Sequence, residues 1–179
     1  VGSASTPNKF ADAYELFKDI LAAEQPENPF QLLRCPCCGT RIIPQRKDDD
    51  LTAYGIRSSA NSFEFFCPES SCEFHASIPV SVIDEQLYKR PPSFLIGTID
   101  KFARLAWMDE PKAFFCGGVD GERQPPSLII QDELHLIAGP LGTIAGLYEA
   151  AMDVVMQNAG GKPKYLAATS DLVLLGTCT

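Results

Sequence analysis

The spacing of the cysteines restricts what this chain can fold into more than any other feature. Of seven cysteines, five fall between Cys35 and Cys72. They are grouped as Cys35-Pro36-Cys37-Cys38-Gly39 and Cys67-Pro68-Glu69-Ser70-Ser71-Cys72, while Cys116 and Cys178 stand apart. Two tight pairs roughly thirty residues apart are metal-ligand spacing rather than a disulfide framework. Such pairs let two turns converge on one tetrahedral ion, with Gly39 permitting the backbone geometry that aims amides at the sulfurs. The pattern predicts a zinc ribbon with Cys35, Cys38, Cys67 and Cys72 as ligands of Zn2+. His75 is an alternative fourth ligand, and Cys37 can substitute if the first turn is wound differently. Four protein ligands leave no open position for a reacting water, so the ion is expected to be structural. A ribbon this small has little core of its own, and metal binding should supply much of its folding free energy. The competing reading is of buried, reduced thiols; it accounts for one pair more easily than for both.

The rest of the composition is that of a globular chain, with 45% hydrophobic and 21% charged residues in 179. That length suffices for one buried core plus a small appendage. No run of eighteen apolar residues occurs, and Val1-Gly-Ser-Ala-Ser-Thr6 lacks the basic and apolar regions of a signal peptide. A soluble, cytoplasmic protein without a membrane partner is therefore expected. The formal charge of −8 argues against broad electrostatic attraction to nucleic acid, because neutralising phosphates requires clustered Lys and Arg. Any such contact must be local or supplied by other parts. The opening on Val1 rather than Met points to a processed product or an excerpt of something longer.

Periodicity divides the chain into residues 1–29, 30–82 and 83–179. In the first part, Pro7 to Ala23 reads as a helix with Ser5 or Thr6 as cap and Phe10, Tyr14, Phe17 and Leu21 on one face. The second is the zinc module. Within it Gln45 to Asn61 reads as a mobile loop with a solvated Asp48-Asp49-Asp50 run, and short strands are expected at Phe63 to Phe66 and Ser77 to Ser81. Ile83 to Lys89 is a short helix stopped by Pro91-Pro92. The third part alternates strand and helix patterns: Phe94 to Gly97, Asp100 to Trp107, Leu128 to Gln131, Thr143 to Met156 and Tyr165 to Thr169. That alternation implies an α/β fold with a parallel sheet and crossover helices. Three strands are too few for a complete nucleotide-binding core.

The segment Ser127-Leu-Ile-Ile-Gln-Asp-Glu-Leu-His135 ends an apolar strand in two carboxylates. Its continuous apolar run suits a strand buried on both faces of a parallel sheet, and ligands of open α/β sheets bind at the C-terminal ends of the strands. An Asp-Glu pair by itself is more often a strand followed by a solvated acidic turn. Here it stands between Thr98-Ile-Asp-Lys101-Phe102 and Ala168-Thr169-Ser170, each placed at the end of a strand pattern. In that order the three elements resemble those of a superfamily 2 helicase. With the Cys-Pro-x-Cys-Gly turn, Val82-Ile-Asp-Glu-Gln-Leu-Tyr88, Pro92-Ser-Phe-Leu-Ile-Gly-Thr-Ile-Asp-Lys-Phe-Ala103 and Gln131 to Thr143, most of the chain is similar to the DrmA-like helicases of bacterial DISARM antiphage systems.

The resemblance implies an incomplete RecA-like helicase core with a zinc-ribbon insertion, ATP-dependent movement on DNA, and other DISARM-type defence proteins as partners. In the complete protein Asp132 would bind Mg2+ through water and Glu133 would act on the attacking water. His135 and Thr169 would couple hydrolysis of ATP to motion, and Thr98 with Lys101 would touch the nucleic-acid backbone. The Gly139-Pro-Leu-Gly-Thr143 segment would be a tight turn opening the next helix, or a plain helix start capped by Thr143. Two departures limit the inference. No Gly-x-x-x-x-Gly-Lys-Ser/Thr loop occurs, since Gly160-Gly-Lys-Pro163 has Pro where a magnesium-binding hydroxyl belongs. A second motor domain with its arginine finger is also missing, so the chain alone is expected to hydrolyse ATP very slowly or not at all. The rival class is a zinc-dependent binding module with a vestigial acidic site.

Overall fold

The computed structural model describes residues 6–97, 113–115, 125–132 and 140–167. The chain divides into two compact units, Val1–Thr98 and Ile99–Thr179.

The first unit is built around an aromatic core. Helix α1, Phe10–Ala22, begins later than expected, and its N-cap residue Lys9 makes no side-chain cap. Thr6, expected as a cap, is buried. The buried face carries Phe10, Ala13, Phe17 and Ile20, so it is turned from the expected stripe. Ala13 is small enough for the helix to lie close against its neighbours, and Tyr14 is left to cover Lys18, whose Nζ sits 4.6 Å from the ring centre.

The expected loop between Gln45 and Asn61 contains a strand. β1, Ile56–Ser59, pairs antiparallel with β2, Ser62–Phe65, in the register Ile56 to Phe65 and Ser59 to Ser62. Only Ile56 of β1 is buried, so the alternation that marks a strand was absent from its sequence. The acidic run ahead of it is exposed but ordered: Asp48 Oδ1 accepts the Asp50 amide at 2.9 Å, and Asp50 Oδ1 accepts the Thr52 amide and hydroxyl. These bonds hold the short 3-10 turn Leu51–Ala53. Instead of an independent strand at Ser77 to Ser81, Ile78 makes an isolated bridge to Phe65.

Helix α2, Asp84–Lys89, ends as expected ahead of the proline pair. One cluster joins Phe10, Phe17 and Ile20 of α1 to Phe30, Ile42, Tyr54, Ile56, Phe63, Phe65, Ile78 and Ile83, and it includes Cys35 and Cys67. Full burial of each large apolar side chain contributes about 1.5–3 kcal/mol before entropic costs. The cysteine module therefore has a larger core than a ribbon alone could form. Phe94 and Ile96, expected in a strand, are 72% and 71% exposed, and residues 94–97 form no strand.

In the second unit β3, Leu128–Gln131, pairs parallel with β4, Lys164–Ala167. Between them runs helix α3, Pro140–Asn158, giving a β-α-β unit. The helix starts at Pro140, which suits a first turn, so Pro140 to Thr143 are helical rather than a tight turn, and Thr143 is not its cap. Met152 and Met156 pack with Phe115, Ile129 and Tyr165, and the Tyr165 hydroxyl donates to Asp153 at 2.7 Å, tying β4 to the helix. Gly160, with φ of 79°, and the Gly161 amide, which donates to the Met156 carbonyl at 2.8 Å, close the C-terminus of α3. The nearest imitation of a phosphate-binding loop is thus a helix cap.

Candidate metal centre

The two cysteine pairs converge. The Sγ atoms of Cys35, Cys38, Cys67 and Cys72 all lie within 4.8 Å of one another. Cys35 Sγ is 3.7 Å from Cys72 Sγ, and Cys38 Sγ is 3.4 Å from Cys67 Sγ. A disulfide requires about 2.05 Å. The edge of a tetrahedron with zinc–sulfur bonds of about 2.3 Å is about 3.8 Å, so the donor set fits one ion such as Zn2+, for which it would supply four closed ligand positions. The expected alternatives are not drawn in: Cys37 is exposed, and neither it nor His75 belongs to the cluster.

Local backbone bonds explain why the sulfurs meet. In the first turn the Gly39 amide donates to the Cys35 carbonyl at 3.0 Å and the Cys35 amide to the Thr40 carbonyl at 2.8 Å. Gly39 adopts φ of 77°, a left-handed conformation that glycine reaches without steric cost. In the second turn the Cys72 amide donates to the Glu69 carbonyl, the His75 amide to the Cys72 carbonyl, and the Cys67 amide to the Phe74 carbonyl. His75 Nδ1 lies 2.8 Å from the Cys67 carbonyl oxygen, so this ring braces the backbone of a cluster cysteine and stands outside the cluster itself. Gly55 joins the two turns. Its amide donates to the Ile42 carbonyl at 2.7 Å, and its carbonyl accepts the Phe66 amide at 2.9 Å.

The electrostatics suit a cation. The Thr40 hydroxyl and amide hold the Cys38 thiol down at about 6. Burial pushes the Cys67 thiol up to about 11, against an opposing bond from the Glu69 amide. Cys72 is raised too: the Phe74 amide pulls it down, but burial and the three neighbouring sulfurs prevail. Without a cation the cluster readily ionises one thiol and resists further negative charge. A divalent metal removes that resistance by binding the thiolates. Thr40 and Gly55 were not identified by sequence reasoning. A hydroxyl two residues after a ligand cysteine is a signal that could have found Thr40; Gly55 has none.

Of the residues expected to act on nucleotide or nucleic acid, Asp132 is described. It is exposed and directly follows Gln131 at the C-terminal end of β3. Glu133, His135, Thr169, Thr98 and Lys101 lie outside the described residues, as does the helix expected at Asp100 to Trp107. No helix among the described residues is long and apolar enough to cross a membrane.

No protein-family model and no solved structure matches the chain. It is 35% identical over 209 aligned residues to DISARM protein DrmA of Bacillus paralicheniformis, an alignment that takes in 96% of this chain. The chain spans 18% of that relative's length. With the cysteine module and the β-α-β unit both inside the aligned stretch, the chain is DrmA-like along nearly its whole length.

Proposed function

We propose that this chain is part of the first RecA-like domain of an ATP-driven DNA motor, carrying the acidic nucleotide-site segment and an inserted zinc ribbon. The complete protein would act in antiphage defence with other DISARM proteins. Zn2+ held by Cys35, Cys38, Cys67 and Cys72 is structural in this reading. ATP and Mg2+ would belong to the complete protein, where Asp132 would help hold the ion and Glu133 would position or deprotonate the attacking water. His135 and Thr169 link the nucleotide site to domain movement, and Thr98 and Lys101 meet the nucleic-acid backbone.

The observation that carries the reading is the position of Asp132 at the C-terminal end of β3, in a parallel β-α-β unit. That is where open α/β sheets bind their ligands. The test is DNA-stimulated ATP hydrolysis by the complete protein. Asp132→Ala and Glu133→Gln are expected to lower it at least a hundredfold with zinc content unchanged; undiminished hydrolysis in both variants would refute the motor reading.

A second reading, a zinc-dependent binding module, draws on the core that the cysteine module shares with α1. It predicts DNA binding that survives Asp132→Ala and is lost in Cys35→Ser.

A further inference from the structure

The first cysteine turn places two like charges side by side. Arg34 and Arg41 form an antiparallel bridge. The flanking bonds run from the Cys35 amide to the Thr40 carbonyl and from the Ile42 amide to the Leu33 carbonyl, at 2.8 and 3.1 Å. That pattern makes Arg34 and Arg41 a non-hydrogen-bonded pair, the arrangement in which facing side chains start closest, on the same side of the ribbon. Directly opposed like charges are destabilising. Both residues are exposed, and among the described residues neither makes an ion pair, although the chain carries 23 acidic residues. The Arg34 guanidinium is steadied by donating to the Gly39 carbonyl at 2.9 Å, which uses one of its five donors.

The charge around them is segregated. From Glu27 to Asp48 the chain carries Arg34, Arg41, Arg46 and Lys47 with no acidic residue between, inside a chain of net charge −8. Arg41 borders a shallow groove with Gln25, Asn28, Leu33 and Gln45. Glu27 borders it too, without pairing to Arg41. Lys47 is tied only loosely, 3.9 Å from Glu24.

We infer that the face of the first cysteine turn bearing Arg34 and Arg41 is a docking surface for the phosphodiester backbone of nucleic acid. Guanidinium forks match phosphate oxygens, and an anion between the two arginines would turn their repulsion into shared attraction. A polymer of regularly spaced phosphates also suits a stretch whose charges recur at Arg46 and Lys47. The inference rests on the proposed motor reading for its choice of nucleic acid over an acidic protein.

The test is binding of a fluorescent single-stranded oligonucleotide to the zinc-loaded chain over a range of salt. Arg34→Gln/Arg41→Gln is expected to raise Kd at least tenfold at low salt. It should also reduce the slope of log affinity against log salt by about 1.4, at about 0.7 per phosphate contact on a single strand. Lys18→Gln on α1 should change neither, and all variants should retain zinc. The inference is overturned if the wild-type chain does not bind, if the double variant binds like wild type, if Lys18→Gln is equally damaging, or if polyglutamate competes as well as DNA. The motor reading fails separately: it requires loss of hydrolysis in Glu133→Gln, which the arginine variants do not probe.

Discussion

Glu85 Oε2 accepts the backbone N–H of Phe10 at 3.1 Å, so a carboxylate 75 residues downstream serves as the missing cap of α1. The Glu85 amide returns a bond to the Asn8 carbonyl at 3.0 Å. Lys89 completes the junction, 2.8 Å from Glu85 Oε1 with its Nζ 5.1 Å from the Phe10 ring centre. A negative charge at a helix N-terminus satisfies an orphan donor and complements the helix dipole. Local sequence alone would have assigned the cap to Ser5 or Thr6, because a partner this distant leaves no trace in periodicity.

Glu85→Ala should therefore destabilise the first unit by about 1 kcal/mol, the usual cost of losing a cap. The bonds from Lys89 and from the Phe10 amide hold the Glu85 carboxyl below its ordinary value of 4.5. The stabilisation is thus complete above that value and is lost as pH falls through the depressed folded-state value. Denaturant melts of wild type and variant should converge in acid, and a pH-independent gap between them would contradict the capping role. Solvent screening at this exposed pair keeps the effect small.

The ligand set predicts a sharp division among variants. Cys37→Ser and His75→Ala should each retain one zinc per chain by native mass spectrometry, whereas Cys67→Ser should lose it. His75→Ala should still weaken the site, because the bond to the Cys67 carbonyl goes with the ring. Zinc uptake should release protons, since Cys67 and Cys72 are held protonated in the free cluster. Affinity should accordingly fall as pH drops toward the Cys38 value of about 6. Calorimetry in buffers of different ionisation enthalpy reads the proton count, and a pH-independent affinity would rule out thiolate ligation.

Gly55 is the tightest point between the two cysteine turns. A methyl group there would run into the Phe66 carbonyl oxygen and come within 3.3 Å of the Ile42 carbonyl oxygen, so it would wedge apart the two segments that lead into the cysteine turns. Gly55→Ala should cost about 1–3 kcal/mol, as overpacking does, and weaken zinc binding at least tenfold in chelator competition. Gly39→Ala meets open space and is strained only by its φ of 77°, so its effect should be smaller. Equal losses in the two variants would argue against the wedge.

These positions show which features were readable from sequence. The four converging cysteines and the strand Leu128–Gln131 were expected at the observed residues, because ligand spacing and continuous apolar runs are local signals. The β1 strand was not, since Ile56 is its one buried side chain and its order comes from pairing with β2. The burial of Ala13 and Ile20 in place of Tyr14 and Leu21 also escaped periodicity. A rotation of the apolar stripe by one residue is decided by how closely the helix approaches the hairpin, a tertiary effect. The supporting bonds of Gly55, Thr40 and Glu85 likewise depend on chain segments meeting across the fold.

Stability and docking should move in opposite directions at the arginine pair. Arg41→Glu would place a carboxylate directly opposite Arg34, converting a cross-strand repulsion into an attraction that contributes about 0.2–1 kcal/mol. The variant should therefore melt at a higher denaturant concentration than wild type while binding the oligonucleotide at least tenfold more weakly. Were the arginines present only to offset the charge of the zinc–thiolate centre, the substitution would instead lower both stability and zinc affinity. Parallel denaturant melts and zinc competition on this one variant thus separate a surface kept for an anionic partner from one that serves the metal.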